Sequence, residues 1–290
     1  MATPAQWIGG ARPRTLPAAL APVLVGTGAA AALDGFDLPA ALLALVVALA
    51  LQVAVNYAND YSDGKRGTDA GRVGPMRLVG SGAASPNQVL VAAGIAFAVA
   101  GVAGLVLAAL SSWWLVAVGA VCMAAAWTYT GGPLPYGYRA LGEVFVFVFF
   151  GPVAVVGTTF VQTGRVEGLA VAVSVPIGLL IVAILVVNNL RDIDGDAVAG
   201  KRTLAVLLGD RATRFLFVDL FVAAFVIVLA VGVIRPWALV ALLAAPLAVP
   251  PSRTVLTGGR GPALIAALQG AGLVTLATGV LLGAGLALSG

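Results

Sequence analysis

Histidine is absent from this 290-residue chain, and cysteine occurs once, as Cys122. The first absence removes the commonest general base, a common haem ligand and any histidine-based zinc centre. A single thiol rules out an intrachain disulfide and leaves no trace of a redox compartment. Charge is also scarce, at 10% of residues, where a soluble domain carries about 25%. Hydrophobic residues make up 61%, and the mean hydropathy is +1.06. Such a chain reads as an all-α, polytopic membrane protein, because lipid admits only helices and closed barrels. The net charge of +4 is no argument for nucleic acid, since polytopic proteins retain Lys and Arg on their cytoplasmic side. The expected surroundings are a lipid bilayer, with no nucleic-acid partner.

Crossing the hydrocarbon slab takes about 20 helical residues. Nine segments meet that requirement: 16–33, 38–58, 88–110, 113–129, 141–161, 169–189, 212–234, 237–251 and 263–288. The eighth is short and interrupted by proline. Arg12 and Arg14 precede the first run as in a cleaved signal, but with eight further spans following it reads as the first membrane helix. Of the sixteen cations, only Arg165 and Arg235 fall on one side of this topology. The other fourteen, among them Lys65, Arg77, Arg139 and Lys201, share the side of the N-terminus. The positive-inside rule makes that side the cytoplasm, so a multi-pass protein of the cell membrane is expected. No linker divides residues 1–290. A weak echo between about 16–130 and 141–251 hints at duplicated four-helix halves followed by a last helix.

The polar residues that remain are concentrated after spans two and six. Asn56, Asn59, Asp60 and Asp63 stand at i, i+3, i+4 and i+7, one face of a helix. Asn188, Asp192 and Asp196 are spaced by four, with Asn189 beside them, while Asp194 points elsewhere. Four carboxylates converging in a poorly screened setting repel one another unless a cation lies between them. Hard oxygen donors without histidine or clustered thiolates favour Mg²⁺, which usually completes its shell with water and substrate phosphate. Lys65, Arg66, Arg77, Lys201 and Arg202 lie in the same two loops and suit a diphosphate. Ordinary solvated loop charge explains several of these cations equally well. It does poorly for the four asparagines at the edges of apolar spans, where polar groups are costly and usually functional.

At these residues the chain resembles the intramembrane aromatic prenyltransferase family. Asn59-Asp60-Tyr61-Ser62-Asp63 is similar to that family's Asn-Asp-x-x-Asp motif, and Asp192 to Asp196 is similar to its second, Asp-x-x-x-Asp motif. The stretches Arg12–Pro17, Gly74–Gly82, Tyr129–Pro135, Gly137–Glu143 and Gly200–Val206 resemble its menaquinone branch. The resemblance runs from about residue 7 to 215. It implies nine helices around a central cavity, with Mg²⁺ held by Asp60, Asp63, Asp192, Asp196 and Asn59. It further implies a polyprenyl diphosphate donor and 1,4-dihydroxy-2-naphthoate as acceptor, giving demethylmenaquinone with loss of the carboxylate. Two departures stand out. Tyr129 is followed by Gly-Gly-Pro where some members carry a lysine, leaving Arg139 as the nearest cation. Gly67 replaces the last aspartate of the first motif, with Asp69 displaced beyond it.

On this reading Asp60, Asp63, Asp192 and Asp196 are the catalytic carboxylates, and Lys65, Arg77, Arg139 and Lys201 contact diphosphate. Asn56, Asn188, Asn189, Tyr129 and Arg14 are expected to meet substrate, with Arg12 or Arg14 receiving the acceptor's carboxylate. Tyr57 and Tyr61 are further candidates for an aromatic wall. Other acceptors served by the family remain open, including 4-hydroxybenzoate, homogentisate, haem, a chlorophyllide or a phosphorylated sugar. A CDP-alcohol phosphotransferase is disfavoured because Asp63-Gly-Lys-Arg-Gly-Thr68 lacks the Ala-Arg pair of that pattern. A transporter would scatter polar groups through the middle of several spans, whereas here they gather at cytoplasmic helix ends. Tail length, the number of Mg²⁺ ions and the oligomeric state are not legible.

Overall fold

The computed structural model describes residues 2–67 and 76–290. Asp69, Arg72 and the start of the 74–82 segment lie outside the described residues. Within them every named element is helical, apart from an isolated backbone bridge between Arg139 and Arg202. A short helix, α1 (Pro4–Ala11), opens the chain, started by a capping box between Thr3 and Gln6. Then come α2 (Pro17–Ala31), α3 (Leu38–Arg66), α4 (Pro86–Leu110) and α5 (Leu115–Thr128). The next span is composite: α6 (Gly142–Val148), a π-turn (Phe149–Val153) and α7 (Ala154–Thr163). It is followed by α8 (Gly168–Val198) and α9 (Leu204–Ile234), then a 3₁₀ stretch (Pro236–Ala248) running into α10 (Val249–Leu256), and finally α11 (Pro262–Ala287).

Seven of the described helices, counting the two composites as one each, are long and apolar enough to cross a membrane. The first and fourth expected segments are occupied by shorter apolar helices, α2 and α5. The two motif-bearing helices overshoot. With 29 residues in α3 and 31 in α8, each is about 44–46 Å long, against a hydrocarbon core of about 30 Å. The surplus turns carry the polar motifs, so both stand on helix extensions where the hydropathy pattern alone ends near Ala58 and Asn189. Each extension closes at a left-handed glycine, Gly67 (φ 71°) and Gly200 (φ 73°), a conformation that glycine adopts without Cβ strain.

The eighth span differs from an ordinary helix. Its first 13 residues form a 3₁₀ helix containing Pro246, which rises about 26 Å where an α-helix would rise about 20 Å. A stretch that looks short on the sequence thereby gains length. The core joins α8, α9 and α11 through Leu180, Val187, Phe217, Phe221 and Val274. The helices α2 and α11 also close against each other. A Cβ on Gly28 of α2 would lie 2.2 Å from the Gly283 carbonyl oxygen of α11, so the two backbones touch, as small residues allow in membrane helices.

Candidate active site

The helices surround a cavity of about 390 Å³ lined by α2, α3, α5, the α6–α7 composite and α8. From Ala44 to Asp63, both on its wall, α3 advances about 28 Å. The cavity is polar at the C-terminal ends of α3 and α8 and mostly apolar along the rest, where Gln52 and Thr158 interrupt the apolar lining. Gly104, Leu107, Leu115, Val118 and Val161 line its far end.

Asn56, Asn59 and Asp63 reach the polar end from α3, and Asn188, Asn189 and Asp196 from α8, with Arg77, Tyr129 and Lys201 completing it. Gly200 turns the chain so that the Lys201 amide donates to the Asp196 carbonyl at 2.8 Å, which brings Lys201 Nζ to 3.5 Å from Asp196 Oδ1. Asp63 Oδ1 accepts from the Tyr138 hydroxyl at 2.6 Å. Asn59 Oδ1 accepts from the Thr130 hydroxyl at 2.7 Å, and Asn189 Nδ2 donates to Glu143 Oε1 at 3.0 Å. Asn56 Nδ2 donates to the Ala11 carbonyl and to Thr15 Oγ1, tying α3 to the N-terminal segment.

Two of the four expected carboxylates are turned to other partners. Asp60, fully buried, accepts the backbone amides of Leu78 and Val79 at 2.7 and 3.0 Å and does not line the cavity. One residue along a helix is a rotation of about 100°, which carries Asp60 off the face of Asn59 and onto the returning loop. Asp192 is held by Arg191 through two hydrogen bonds of 2.8 and 2.7 Å. Among the described residues no three His, Cys, Asp or Glu side chains stand close enough to hold a metal ion by themselves. Asp63, Asp196 and the amide oxygens nonetheless form a hard oxygen set that fits Mg²⁺ when water and phosphate complete the shell.

Other expected contacts lie off the cavity. Lys65 sits over the Tyr61 ring at 5.4 Å, Arg139 is exposed on the bridge to Arg202, and Arg14 faces the Gln269 amide of α11. Arg12 lines the cavity instead. The aromatic wall also differs from expectation. Tyr57 donates to the Trp7 carbonyl and Tyr61 leans on Trp127, so neither lines the cavity. The wall is built by Tyr129, Tyr136, Phe145, Phe149 and Phe150, with Tyr136 stacked on Phe145 at 4.1 Å. Burial raises the Tyr136 phenol well above its ordinary range, so it stays protonated at neutral pH.

The sequence profile of the UbiA prenyltransferase family matches residues 19–268. The chain belongs to that family. This UbiA prenyltransferase is 55% identical over 276 residues to "1,4-dihydroxy-2-naphthoate octaprenyltransferase" of Mycobacterium tuberculosis, covering 95% of this chain and 94% of the relative. It is 36% identical to the Escherichia coli protein of the same name, covering 86% and 84%. Its fold matches the apo structure of a UbiA homolog from Aeropyrum pernix K1, with a TM-score of 0.69 at 19% identity, covering 92% and 96%. It also matches a UbiA homolog from Archaeoglobus fulgidus bound to GPP and Mg²⁺, with a TM-score of 0.62 at 16% identity, covering 96% and 99%. The UbiA prenyltransferase is thus a membrane enzyme with an elongated cavity that joins a polar, cation-edged mouth to an apolar gallery. That shape suits an amphiphile with an anionic head and a hydrocarbon tail. Sequence reasoning missed Tyr136, Tyr138, Thr130 and Glu143. The first two sit in a Pro- and Tyr-rich loop whose periodicity says nothing of direction.

Proposed function

We propose that this enzyme transfers a polyprenyl group from polyprenyl diphosphate to 1,4-dihydroxy-2-naphthoate, with Mg²⁺ and with loss of the carboxylate as carbon dioxide. The observation that carries the proposal is the continuity of the cavity, from Asp63, Asp196 and Lys201 at one end to the apolar gallery at the other. The names of the relatives above support the choice of acceptor. Asp63 and Asp196, with Asn56, Asn59, Asn188 and Asn189 around them, would hold Mg²⁺, which when bound offsets the charge gathering on the departing diphosphate. Arg77 and Lys201 bind the diphosphate. Asp192, Lys65, Arg139 and Arg14 act at longer range, through the local field and the positions of these groups.

The allylic carbon loses its bond to the diphosphate oxygen and forms one to the ring carbon that bears the carboxylate. The aromatic wall keeps water from the electron-deficient allyl group, and Arg12 receives the acceptor's carboxylate. Carbon dioxide then departs, leaving its bonding electrons to the ring. The product is demethylmenaquinol, the reduced form of demethylmenaquinone. Because carbon dioxide leaves in place of a proton, no general base is needed, in keeping with a chain that has no histidine.

In the same proposal the enzyme crosses the cell membrane nine times, α2 and α5 included, with its N-terminus and the polar mouth facing the cytoplasm. Residues 1–290 form one domain whose halves, 16–130 and 141–251, repeat a four-helix unit. The Asn- and Asp-bearing ends of α3 and α8 support that echo. The test is incubation of detergent-purified protein with 1,4-dihydroxy-2-naphthoate, a prenyl diphosphate and Mg²⁺, with products identified by mass. A decarboxylated, prenylated naphthalenediol that disappears with EDTA and in Asp63→Asn and Asp196→Asn is expected. Product only with another aromatic acceptor would overturn the naphthoate assignment.

A further inference from the structure

We propose that Tyr138 holds the two halves of the metal–diphosphate site in register, its phenol positioning Asp63 and its ring seating Lys201. The proposal rests on the prenyl-transfer reading and adds to it a residue from neither acidic motif. Tyr138 stands on the loop between α5 and α6. Its hydroxyl donates to Asp63 Oδ1 at 2.6 Å, within the short range of hydrogen bonds to a carboxylate. The same ring lies beneath Lys201, with Nζ 4.6 Å from its centroid, and Arg66 adds a second cation at 5.3 Å. Lys201 in turn reaches Asp196 at 3.5 Å. One side chain therefore links the carboxylate of α3 to the cation and carboxylate at the end of α8.

The backbone of this loop is anchored to match. The Tyr138 carbonyl accepts the Arg202 amide at 3.1 Å, and the Gly137 amide donates to the Tyr129 carbonyl at 3.0 Å. At Gly137 a Cβ would lie 2.7 Å from that carbonyl, so the loop seats against the end of α5 only with glycine there. The main chain is thus fastened to α5 and to the loop after α8, while the phenol reaches across to α3. Groups that hydrogen-bond to a ligating carboxylate fix its direction, and their removal usually weakens metal binding about 10–100-fold.

Tyr138→Phe keeps the ring and deletes the hydroxyl, whereas Tyr138→Leu deletes both. The measurement is Mn²⁺ binding by paramagnetic resonance on purified protein with unreactive geranyl thiolodiphosphate present. Thiolodiphosphate affinity at saturating metal and the thermal midpoint are followed alongside. Tyr138→Phe is expected to bind Mn²⁺ about 10–100-fold more weakly, with diphosphate affinity within about two-fold and an unchanged midpoint. Tyr138→Leu should weaken diphosphate binding as well, by roughly two- to five-fold, as the support beneath Lys201 is lost. In an Asp63→Asn background Tyr138→Phe should have no further effect on metal, since the ligating carboxylate that it orients is gone. Wild-type Mn²⁺ affinity in Tyr138→Phe, or effects that simply add to those of Asp63→Asn, would overturn the proposal for Tyr138 alone. Wild-type protein that binds no metal with the thiolodiphosphate would overturn the prenyl-transfer reading and this proposal together.

Discussion

Asp60 and Asp63 stand three residues apart in one motif, and their geometry predicts opposite consequences of the same change. Asp60 is fully buried and takes two backbone amides, Leu78 N at 2.7 Å and Val79 N at 3.0 Å. Asn at position 60 offers an oxygen to only one of them and turns an N–H toward the other. A buried donor without an acceptor costs about 1–3 kcal/mol, and the remaining hydrogen bond loses its charge assistance. The sum is about 3 kcal/mol, which for a chain of this size lowers the thermal midpoint by roughly 5 °C. Arg77, the next residue before the anchored amides, lines the cavity, so loosening the loop should also raise KM for the prenyl diphosphate several-fold. Metal affinity should stay near that of the wild type. Asp63→Asn should do the reverse. The Tyr138 hydroxyl still finds an acceptor, the midpoint holds within about 2 °C, and metal binding and turnover collapse. Midpoints in detergent by intrinsic fluorescence, paired with Mn²⁺ titrations, measure both. An Asp60→Asn protein that melts like the wild type yet loses metal as Asp63→Asn does would refute the anchoring role.

Three further expectations are tied to single contacts. Chelation with EDTA should abolish turnover and re-addition of Mg²⁺ restore it, while Asp196→Asn should raise the Mg²⁺ concentration needed for half-maximal rate at least ten-fold, as read from metal titrations of initial rate. Gly200→Val places a β-branched residue at φ 73° and should cost about 1–2 kcal/mol, visible as a lower thermal midpoint and, because Lys201 is misplaced, a higher KM for the diphosphate. Gly28→Ala forces a Cβ to within 2.2 Å of a backbone oxygen. It should destabilise the α2–α11 seam by about 1–3 kcal/mol, with a lower thermal midpoint and turnover per folded molecule nearly unchanged.

Much of this was legible because two periodicities survive in the sequence. Hydropathy locates an apolar helix in every expected segment, and the spacing of Asn56, Asn59 and Asp63 places them on the face that meets the cavity. Spacing alone also admitted Asp60, since i+4 is close to i+3 on a helix. What turns its carboxylate away from the cavity is a pair of backbone amides 18 and 19 residues away, which no side-chain pattern records. The same holds for Tyr138, whose importance comes from where a loop folds back. The 3₁₀ geometry of the eighth span escaped because hydropathy counts residues, whereas a membrane is crossed in ångströms.

The π-turn at Phe149–Val153 carries a consequence for how this wall tolerates insertion and deletion. A π-turn is equivalent to one extra residue threaded into an α-helix. It keeps Phe145 and Phe149 before the turn and Gly157 and Val161 after it on the same cavity wall, whereas steps of four in an unbroken α-helix would drift off it by about 40° each. Removing one residue here would shorten the span by only about 1.5 Å, a change the bilayer would scarcely register. It would relax the π-turn to ordinary α-helix and leave Gly157, Thr158 and Val161 facing the cavity much as before, because the extra residue is what the wide turn absorbs. A deletion elsewhere in α6 or α7 has no wide turn to absorb it and would rotate those side chains by about 100°, so the reaction chamber rather than the lipid confines a tolerated deletion to this one turn.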